Sequence, residues 1–397
     1  MNILMLSSRI PYPLTAGFRI RIFNEAKYFK SDGNNVDLLY LGDKSEYRKY
    51  KDNLTQIFRK VYCIPFSKIE AVKQLFKCVG NEDLPFQVQL YQNDAFRKKL
   101  LEIEKNYDVV IGNHIRTSEY LKLLNKQKVV LDLHDAISYN YKNAIKVATG
   151  LKKTLYRIEY RRVLKYECDI CSAFPKVVII SEADKKWLRD HGADVSEVTV
   201  IPVAVRDDIN DRKQDYTIDK HIICFLGKMS YQPNIDAVTW FSKEVFPKLH
   251  KLDIKLDFYI IGIEPTDEIK KLQTDPNIHV TGFMEDPFSV VAESMAMVVP
   301  IRNGAGIQNK VLESMLVGTP VVASPIAAQG IKAENGKQLL IAHSEGEFVS
   351  KIWSLIQSDQ LRRKIGLEGQ TYVNENYIWE ALWKKWRCLI QQGEGMP

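Results

Sequence analysis

The stretch from residue 300 to 325 constrains the fold of this chain more than any other. An apolar run at 297–301 leads into a loop that contains two glycines. A helical pattern then opens at about residue 308 and stops at Gly318, and a second apolar run occupies 320–324. Further short β-branched runs alternate with helical stretches along the chain. This alternation predicts parallel, doubly wound α/β sheets.

The loop and the start of the helix in this stretch have the features of a phosphate-binding site. Glycines before a helix N-terminus let the backbone approach a ligand, and the exposed N–H groups there favour an anion. Lys310 and Glu313 are three residues apart and therefore share one face of the helix. The pair suits a nucleotide sugar, with Lys310 for the diphosphate and Glu313 for the ribose hydroxyls. A surface ion pair on an ordinary helix is the alternative that these residues leave open.

Length and composition indicate a globular protein with two domains. A chain of 397 residues is longer than one hydrophobic core usually accommodates. A composition of 45% apolar and 26% charged residues is typical of soluble proteins. We see neither a signal-peptide pattern nor 18 consecutive apolar residues, and we predict a cytoplasmic protein. The net charge of +7 comes from the first half, which suggests an anionic partner or simply a solvated lysine-rich surface. The spacing of the six cysteines predicts no metal site.

At about 203–219 the alternation of strand-like and helical stretches stops and the sequence becomes polar, which predicts the domain boundary there. We predict an N-terminal Rossmann-like, acceptor-binding domain at 1–203. A C-terminal Rossmann-like domain at 204–373 would bind the nucleotide sugar. Residues 374–397 carry aromatic and aliphatic residues at helical spacing and are predicted to form a terminal helix. Ligands of such sheets bind beyond the carboxyl ends of the strands.

The segment around Lys310 resembles the donor-binding signature of retaining glycosyltransferases with the GT-B fold, the group 1 or family 4 class. Residues 313–315 and 318–322 match the second half of that signature. Its first glutamate is absent, because Ala305 occupies that position. A sub-branch of the family has Gly-x-Gly there and a lysine three residues before the second glutamate. This chain fits that sub-branch with residues 304–306, Lys310 and Glu313.

The resemblance implies two Rossmann-like domains that face each other across a cleft, with a C-terminal helix that crosses back to the first domain. It implies a retaining, metal-independent glycosyltransferase without a cofactor, which uses a UDP- or GDP-sugar as co-substrate. The acceptor would be a saccharide or a lipid-linked saccharide in the synthesis of a bacterial surface polysaccharide or glycan. The alternatives are a non-catalytic GT-B subunit that stabilises another transferase and, less favoured, another GT-B chemistry such as nucleotide-sugar epimerisation.

The resemblance also implies the residues of the site. His134, at the end of a buried apolar run, would bind the sugar that is transferred, and Lys228 and Lys310 would hold the diphosphate. Gly17 follows the first strand and would approach the donor. Further donor contacts are implied for Phe283, Gly304, Ala305, Gly306, Ile307, Asn309 and Glu313.

Other residues of the first domain are candidates for the acceptor and for further partners. His114 and Asp135 follow predicted strands and are candidate acceptor contacts. Arg19 and Arg21 are candidate phosphate ligands, of which one is expected to be only a surface charge. Basic amphipathic stretches at 151–166 and 69–79 suggest peripheral contact with the inner face of the cell membrane, although such helices more often have a core face and a solvated face. Nucleic-acid binding is not predicted, since exposed aromatics do not interleave with the basic residues.

Overall fold

A computed structural model describes residues 1–14, 16–66, 74, 84–206, 209, 214, 216, 220–303 and 307–391. The chain divides into two compact units. One comprises Met1–Val203 together with the chain from Trp383 onward, and the other comprises Ala204–Leu382. Each unit is built on one parallel sheet whose strands alternate with helices along the chain. The predicted class, two Rossmann-like α/β units, is therefore confirmed.

The first unit has a seven-stranded sheet in the order β3-β2-β1-β4-β5-β6-β7, and every neighbouring pair is parallel. Its strands are β1 Asn2–Ser7, β2 Asn35–Gly42, β3 Val61–Pro65, β4 Val109–Asn113, β5 Val129–His134, β6 Val177–Ile179 and β7 Val198–Val200. Its described helices are α1 Gly17–Ser31, α2 Lys44–Ile57, α3 Phe86–Leu90, α4 Asp94–Ile103, α5 Ser118–Leu121, α6 Ile137–Val147, α7 Gly150–Ala173 and α8 Glu182–Asp190. The order reverses between β1 and β4, which makes that point the topological switch of the sheet.

The second unit repeats the scheme with six parallel strands in the order β10-β9-β8-β11-β12-β13. Its strands are β8 Ile222–Leu226, β9 Asp257–Ile261, β10 Ile278–Gly282, β11 Ala296–Val299, β12 Val321–Ala323 and β13 Leu340–Ile341. Its described helices are α9 Gln232–Trp240, α10 Phe246–Leu252, α11 Asp267–Lys270, α12 Pro287–Glu293, α13 Asn309–Val317, α14 Pro325–Ala328, α15 Glu345–Gln357 and α16 Asp359–Asn376. The last helix, α17 Trp379–Gln391, begins in this unit and continues into the first. The switch of this sheet lies between β8 and β11.

The strand–loop–helix–strand unit that the sequence predicts is formed by β11, α13 and β12. The apolar side chains of both strands are completely buried, which explains why they read as unbroken hydrophobic runs. α13 buries Val311, Leu312 and Met315 in the same core. It ends at Gly318, whose φ of 94° lies in the left-handed region, which glycine adopts without strain.

The C-terminal stretch differs from its prediction, because 374–391 does not form one helix. α16 ends at Asn376 and Tyr377 is non-helical, with φ −133° and ψ −3°. The carbonyl of Tyr377 accepts a hydrogen bond from the backbone N–H of Val205 at 2.8 Å, which anchors the break. From Trp383 the chain belongs to the first unit, where Trp383 and Trp386 pack edge-on against Phe29 of α1.

Two further observations concern the predicted membrane contact. Apart from residue 74, the basic stretch at 69–79 lies outside the described residues. The basic stretch at 151–166 falls within α7 and is helical. Across the described part of the chain, no helix has both the length and the hydropathy of a membrane span.

Candidate functional site

The switch point of the second unit brings together a glycine, an asparagine and a lysine from three segments. Gly227 directly follows β8, Asn234 lies on α9, and Lys310 lies in the first turn of α13. A Cβ atom on Gly227 would lie 2.7 Å from Asn234 Nδ2 and 2.9 Å from Lys310 Nζ. Both distances are closer than real contacts allow, so glycine is the residue that leaves room for the two side chains.

Lys310 is held in a half-buried position at this point. Its Nζ donates a hydrogen bond of 2.7 Å to Asn234 Oδ1 and lies 4.2 Å from the ring centroid of Phe225. Asn234 in turn donates from Nδ2 to the backbone carbonyl of Lys228 at 2.9 Å. Burial lowers the pKa of Lys310 to about 7, against the opposing effect of Glu313. A bound anion would favour the charged form of Lys310 and raise that pKa again.

Lys228, the second predicted cation, makes an ion pair in this structure. Its Nζ lies 2.9 Å from Glu264 Oε2, and about half of each side chain is exposed. Ser230 Oγ donates to the same Glu264 oxygen at 2.7 Å. Glu264 has a φ of 57°, which is uncommon for a residue with a side chain. A phosphate that binds Lys228 must therefore either displace Glu264 from this lysine or share the lysine with Glu264.

The remaining residues that are predicted to contact the donor differ in their exposure to solvent. Asn309 is the exposed first residue of α13, and Ile307 and Glu313 are half-buried. Phe283 follows β10 and has 78% of its surface exposed. The loop residues of this set, which lie outside the described residues, are Gly304, Ala305 and Gly306.

Gly17 is the first residue of α1 in the first unit. Outside its chain neighbours and its own helix, a Cβ atom there would meet no atom of the described residues within 4 Å, and its φ is not in the left-handed region. The fold itself therefore does not require glycine at this position. A ligand that approaches the backbone would require it, which is the role the sequence predicts.

Two histidines meet at the carboxyl ends of neighbouring strands in the first unit. His134 ends β5, His114 follows β4, and their rings stack with centroids 4.7 Å apart. Both have a positive φ, 65° and 72°, a conformation that non-glycine residues rarely adopt. Burial lowers the pKa of each well below 6.5, reinforced by neighbouring arginines and, for His114, by His134. Both rings are therefore neutral at pH 7.

Arg21, a candidate phosphate ligand, has a structural role instead. It is buried on α1, with its Nε 2.8 Å from Asp132 Oδ2 and 3.0 Å from Glu25 Oε1, and its Nη1 donates to the carbonyl of Ile201 at 3.0 Å. Burial lowers the pKa of Arg21, but the two carboxyl groups outweigh that effect. Burial raises the pKa of Glu25 to about 8. The charge is thus used within the fold, and the prediction was wrong.

Sequence reasoning missed this cluster, although two signals were present. Asp132 interrupts the apolar run of β5, and a carboxylate in a buried strand needs a cation partner. Arg21 and Glu25 are four residues apart and therefore share one face of α1.

A cavity of about 430 Å³ opens in the first unit beside the two histidines. Both candidate acceptor residues, His114 and Asp135, line this cavity. The Asp135 carboxylate accepts a hydrogen bond of 2.5 Å from Asn140 Nδ2, and burial raises its pKa. The cavity is further lined by Gln87, Arg116, Ile137, Tyr141, Ala144 and Tyr156. Its size suits a small-molecule ligand.

The architecture and the second switch point together define a class of protein. Each unit has the 3-2-1-4-5 strand order of nucleotide-binding α/β proteins. The second unit places a lysine and a helix N-terminus where such proteins bind phosphate. Among the described residues, no group of three His, Cys, Asp or Glu side chains is arranged to hold a metal ion.

Comparison with known sequences narrows this class. Residues 220–358, which lie in the second unit, match the family described as "Glycosyl transferases group 1". Over 95% of its length the chain is 24% identical to an uncharacterized 44.6 kDa protein in the cps region of Klebsiella pneumoniae, of which 96% is covered. Over 45% of its length it is 25% identical to the capsular polysaccharide biosynthesis glycosyltransferase CapM of Staphylococcus aureus, of which 48% is covered.

Comparison with solved structures identifies the fold. TarM superposes with a TM-score of 0.65 at 14% identity and covers 98% of both chains. Anabaena HepE in complex with UDP and glucose superposes with a TM-score of 0.62 at 15% identity, over 99% of this chain and 100% of the other. With a group 1 domain in its second unit and the GT-B fold over its whole length, the protein is a glycosyltransferase.

Proposed function

We propose that the protein transfers a sugar from a UDP- or GDP-sugar to a saccharide or lipid-linked acceptor, with retention at the anomeric carbon and without a metal ion. The reaction would belong to the synthesis of a bacterial surface polysaccharide or glycan. The observation that carries this proposal is Lys310, held by Asn234 beside Gly227 at the switch point of the group 1 domain.

The donor is bound by the second unit. Its diphosphate accepts hydrogen bonds from Lys310 and from backbone N–H groups at the start of α13, and Lys228 leaves Glu264 to join them. Glu313, one turn further along α13, accepts hydrogen bonds from the ribose hydroxyls. These groups stabilise the negative charge that develops on the leaving diphosphate, which is the largest electrostatic requirement of the reaction.

Transfer proceeds on the face of the sugar from which the diphosphate leaves. The bond between the anomeric carbon and the phosphate oxygen breaks, the acceptor hydroxyl forms the new bond to that carbon, and its proton passes to an oxygen of the leaving diphosphate. The sequence offers no evident carboxylate nucleophile, which favours this front-face displacement over a covalent intermediate. His134 is neutral and therefore acts as a hydrogen-bonding group that orients the donor sugar.

The comparisons support the substrate classes of this proposal. HepE, which shares the fold, binds UDP and glucose, and CapM acts in capsular polysaccharide biosynthesis. The relative from Klebsiella pneumoniae is encoded in a cps region. A cytoplasmic enzyme that uses nucleotide sugars and adds to a lipid-linked glycan would work at the inner face of the cell membrane.

Helix α7 supports contact with that membrane. Leu151 is 91% exposed, and Leu155 and Ile158 follow at helical spacing with almost half of their surfaces exposed. Lys152 and Arg157 lie between them and are exposed as well. Exposed apolar side chains among basic residues suit an anionic bilayer surface, to which each basic residue adds about 1 kcal/mol.

Thermal unfolding with UDP, GDP, ADP and CMP in the presence of EDTA tests the donor proposal. A ligand at 100 times its dissociation constant stabilises the folded protein by about 2.7 kcal/mol, which raises the midpoint by a few degrees. We expect a selective rise with UDP or GDP, and no shift with any nucleotide at millimolar concentration would contradict the proposal. With the matching α-linked nucleotide sugar, NMR of the product then tests retention: an α-glycoside is expected, and a β-glycoside excludes it.

A further inference from the structure

The cavity in the first unit has a positively charged wall that the proposed transfer does not yet use. Arg116 lines the cavity, and its guanidinium lies 5.0 Å from the ring centroid of Tyr91. Arg9 lies 5.7 Å from the same centroid and donates from Nε to Tyr91 Oη at 2.8 Å. Two guanidinium groups therefore gather at one tyrosine ring.

No ion pair neutralises these charges within the described part of the chain, although the nearby Asp135 interacts favourably with Arg116. Neither Arg9 nor Arg116 has a carboxylate at ion-pair distance among the described residues, and Arg116 Nε donates only to the neutral Gln87 Oε1 at 3.3 Å. Asp135 is the one carboxylate among the described lining residues. The repulsion between the two arginines is unfavourable in the empty site, and a bound anion would relieve it.

The remaining lining groups suit a sugar ring beside that anion. The rings of Tyr141 of α6 and Tyr156 of α7 pack edge to face with their centroids 5.6 Å apart and form an aromatic wall. Asp135 is a hydroxyl acceptor, and Nδ1 of the nearly buried His114 makes no hydrogen bond to the described residues. An unpartnered nitrogen in such an enclosed position is costly unless a ligand hydroxyl completes it.

We propose that this cavity binds a sugar of the acceptor that carries an oxyanion, a carboxylate or a phosphate, and that Arg116 determines this specificity. The guanidinium fork binds the oxyanion, while the tyrosines contact the ring and Asp135 accepts from its hydroxyls. This inference rests on the proposed function, because it assigns the acceptor of that reaction. It restricts the acceptor to acidic or phosphorylated saccharides.

A series of probes that differ only at carbon 6 tests the inference. We would measure binding of 4-nitrophenyl β-D-glucoside, its 6-phosphate and 4-nitrophenyl β-D-glucuronide to the full-length protein by calorimetry at constant ionic strength. At least one anionic probe is expected to bind about tenfold or more tightly than the neutral glucoside. The anionic probe whose affinity increases more over that of the neutral glucoside shows whether the site prefers a phosphate or a carboxylate. Equal affinity for all three, or no binding of either anion at 10 mM, would overturn the inference.

Variants locate the effect at Arg116. R116Q is expected to bind all three probes with similar affinity, whereas R189Q, which removes an exposed charge from α8, should keep the preference. If R116Q does not fold, R116K keeps the charge without the fork and should lose part of the preference. A preference that survives in R116Q, or that is undiminished in R116K, contradicts the inference. The nucleotide-induced thermal shift is recorded for every sample: its absence in the wild type counts against the proposed function, and its presence confines a failure to the acceptor inference.

Discussion

The two units share a strand order but treat positive charge in opposite ways. In the first unit Arg21 is completely buried, and Asp132 and Glu25 surround it inside the fold. In the second unit Lys310 is half-buried and donates to the neutral Asn234. One cation is neutralised by its own protein, whereas the other keeps its capacity to bind an anion.

Under the proposed function, this difference would allow one topology to serve two substrates. A diphosphate carries its charge into the site, so the donor unit must provide cations that are not already used by the fold. The histidine pair of the first unit is neutral at pH 7 and suits sugar hydroxyls. The anion specificity proposed for the first unit depends on Arg116, which is separate from the buried Arg21 cluster.

Replacing Arg21 should have the largest effect on stability. Arg21→Met leaves Asp132 buried without its cation, and removing one partner of a buried ion pair costs about 3–5 kcal/mol. Urea unfolding measures this loss. Arg189→Met, an exposed change on α8 of the same unit, should stay within about 0.5 kcal/mol of the wild type. A loss below about 1 kcal/mol for Arg21→Met would show that the cluster is not structural.

The same substitution at Lys310 should affect catalysis instead. Lys310→Met removes the proposed contact to the leaving diphosphate, and turnover should fall about 10²–10³-fold. The free energy of unfolding should fall by no more than about 2 kcal/mol, because the hydrogen bond that is lost goes to the neutral Asn234 Oδ1. Release of nucleoside diphosphate reports turnover. The control Lys243→Met changes an exposed lysine of the same unit and should leave both quantities unchanged.

Two glycines sharpen the distinction between ligand contact and folding. Gly17→Ala should leave stability unchanged, since its Cβ meets none of the described residues outside its own helix, but should lower turnover about 10- to 100-fold if the donor approaches that backbone. Gly262→Ala places a Cβ 1.6 Å from the carbonyl oxygen of Gly227 at a φ of 152° and should destabilise the fold. Full activity of Gly17→Ala would remove this residue from the donor site.

A further expected effect is a pH dependence of stability that Glu25 imposes on the first unit. Its folded-state pKa of about 8 lies above the usual 4.5, so the folded protein keeps a proton that the unfolded chain has lost. This contribution to stability is complete below pH 4.5 and disappears as the pH rises to about 8. Relative to Glu25→Gln, the wild type should therefore lose stability over that range, by up to about 1.4 kcal/mol per pH unit. Parallel curves for the two proteins would contradict the raised pKa.

The sequence predicted those features that local chemistry determines. The α/β class and the β11–α13–β12 unit follow from apolar runs, a glycine stop and helical spacing, all of which act over a few residues. The break at Tyr377 was not predictable, because the backbone bond to Val205 comes from a distant part of the chain. The role of Arg21 also depends on a distant partner, Asp132. The cavity around Arg116 is formed by several helices and loops, and no single motif encodes it.

Calorimetric titration of UDP and GDP, without added metal, tests the central claim most directly. The ligand-free pKa of Lys310 is about 7, and diphosphate binding favours the protonated form. Between pH 7 and 8.5 the wild-type dissociation constant should therefore rise, by up to about tenfold per pH unit. Lys310→Arg keeps its charge over this range, so its affinity should not change with pH. Equal pH dependence of the two proteins, or binding that survives unchanged in Lys310→Met, would contradict the assignment of Lys310 to the donor diphosphate.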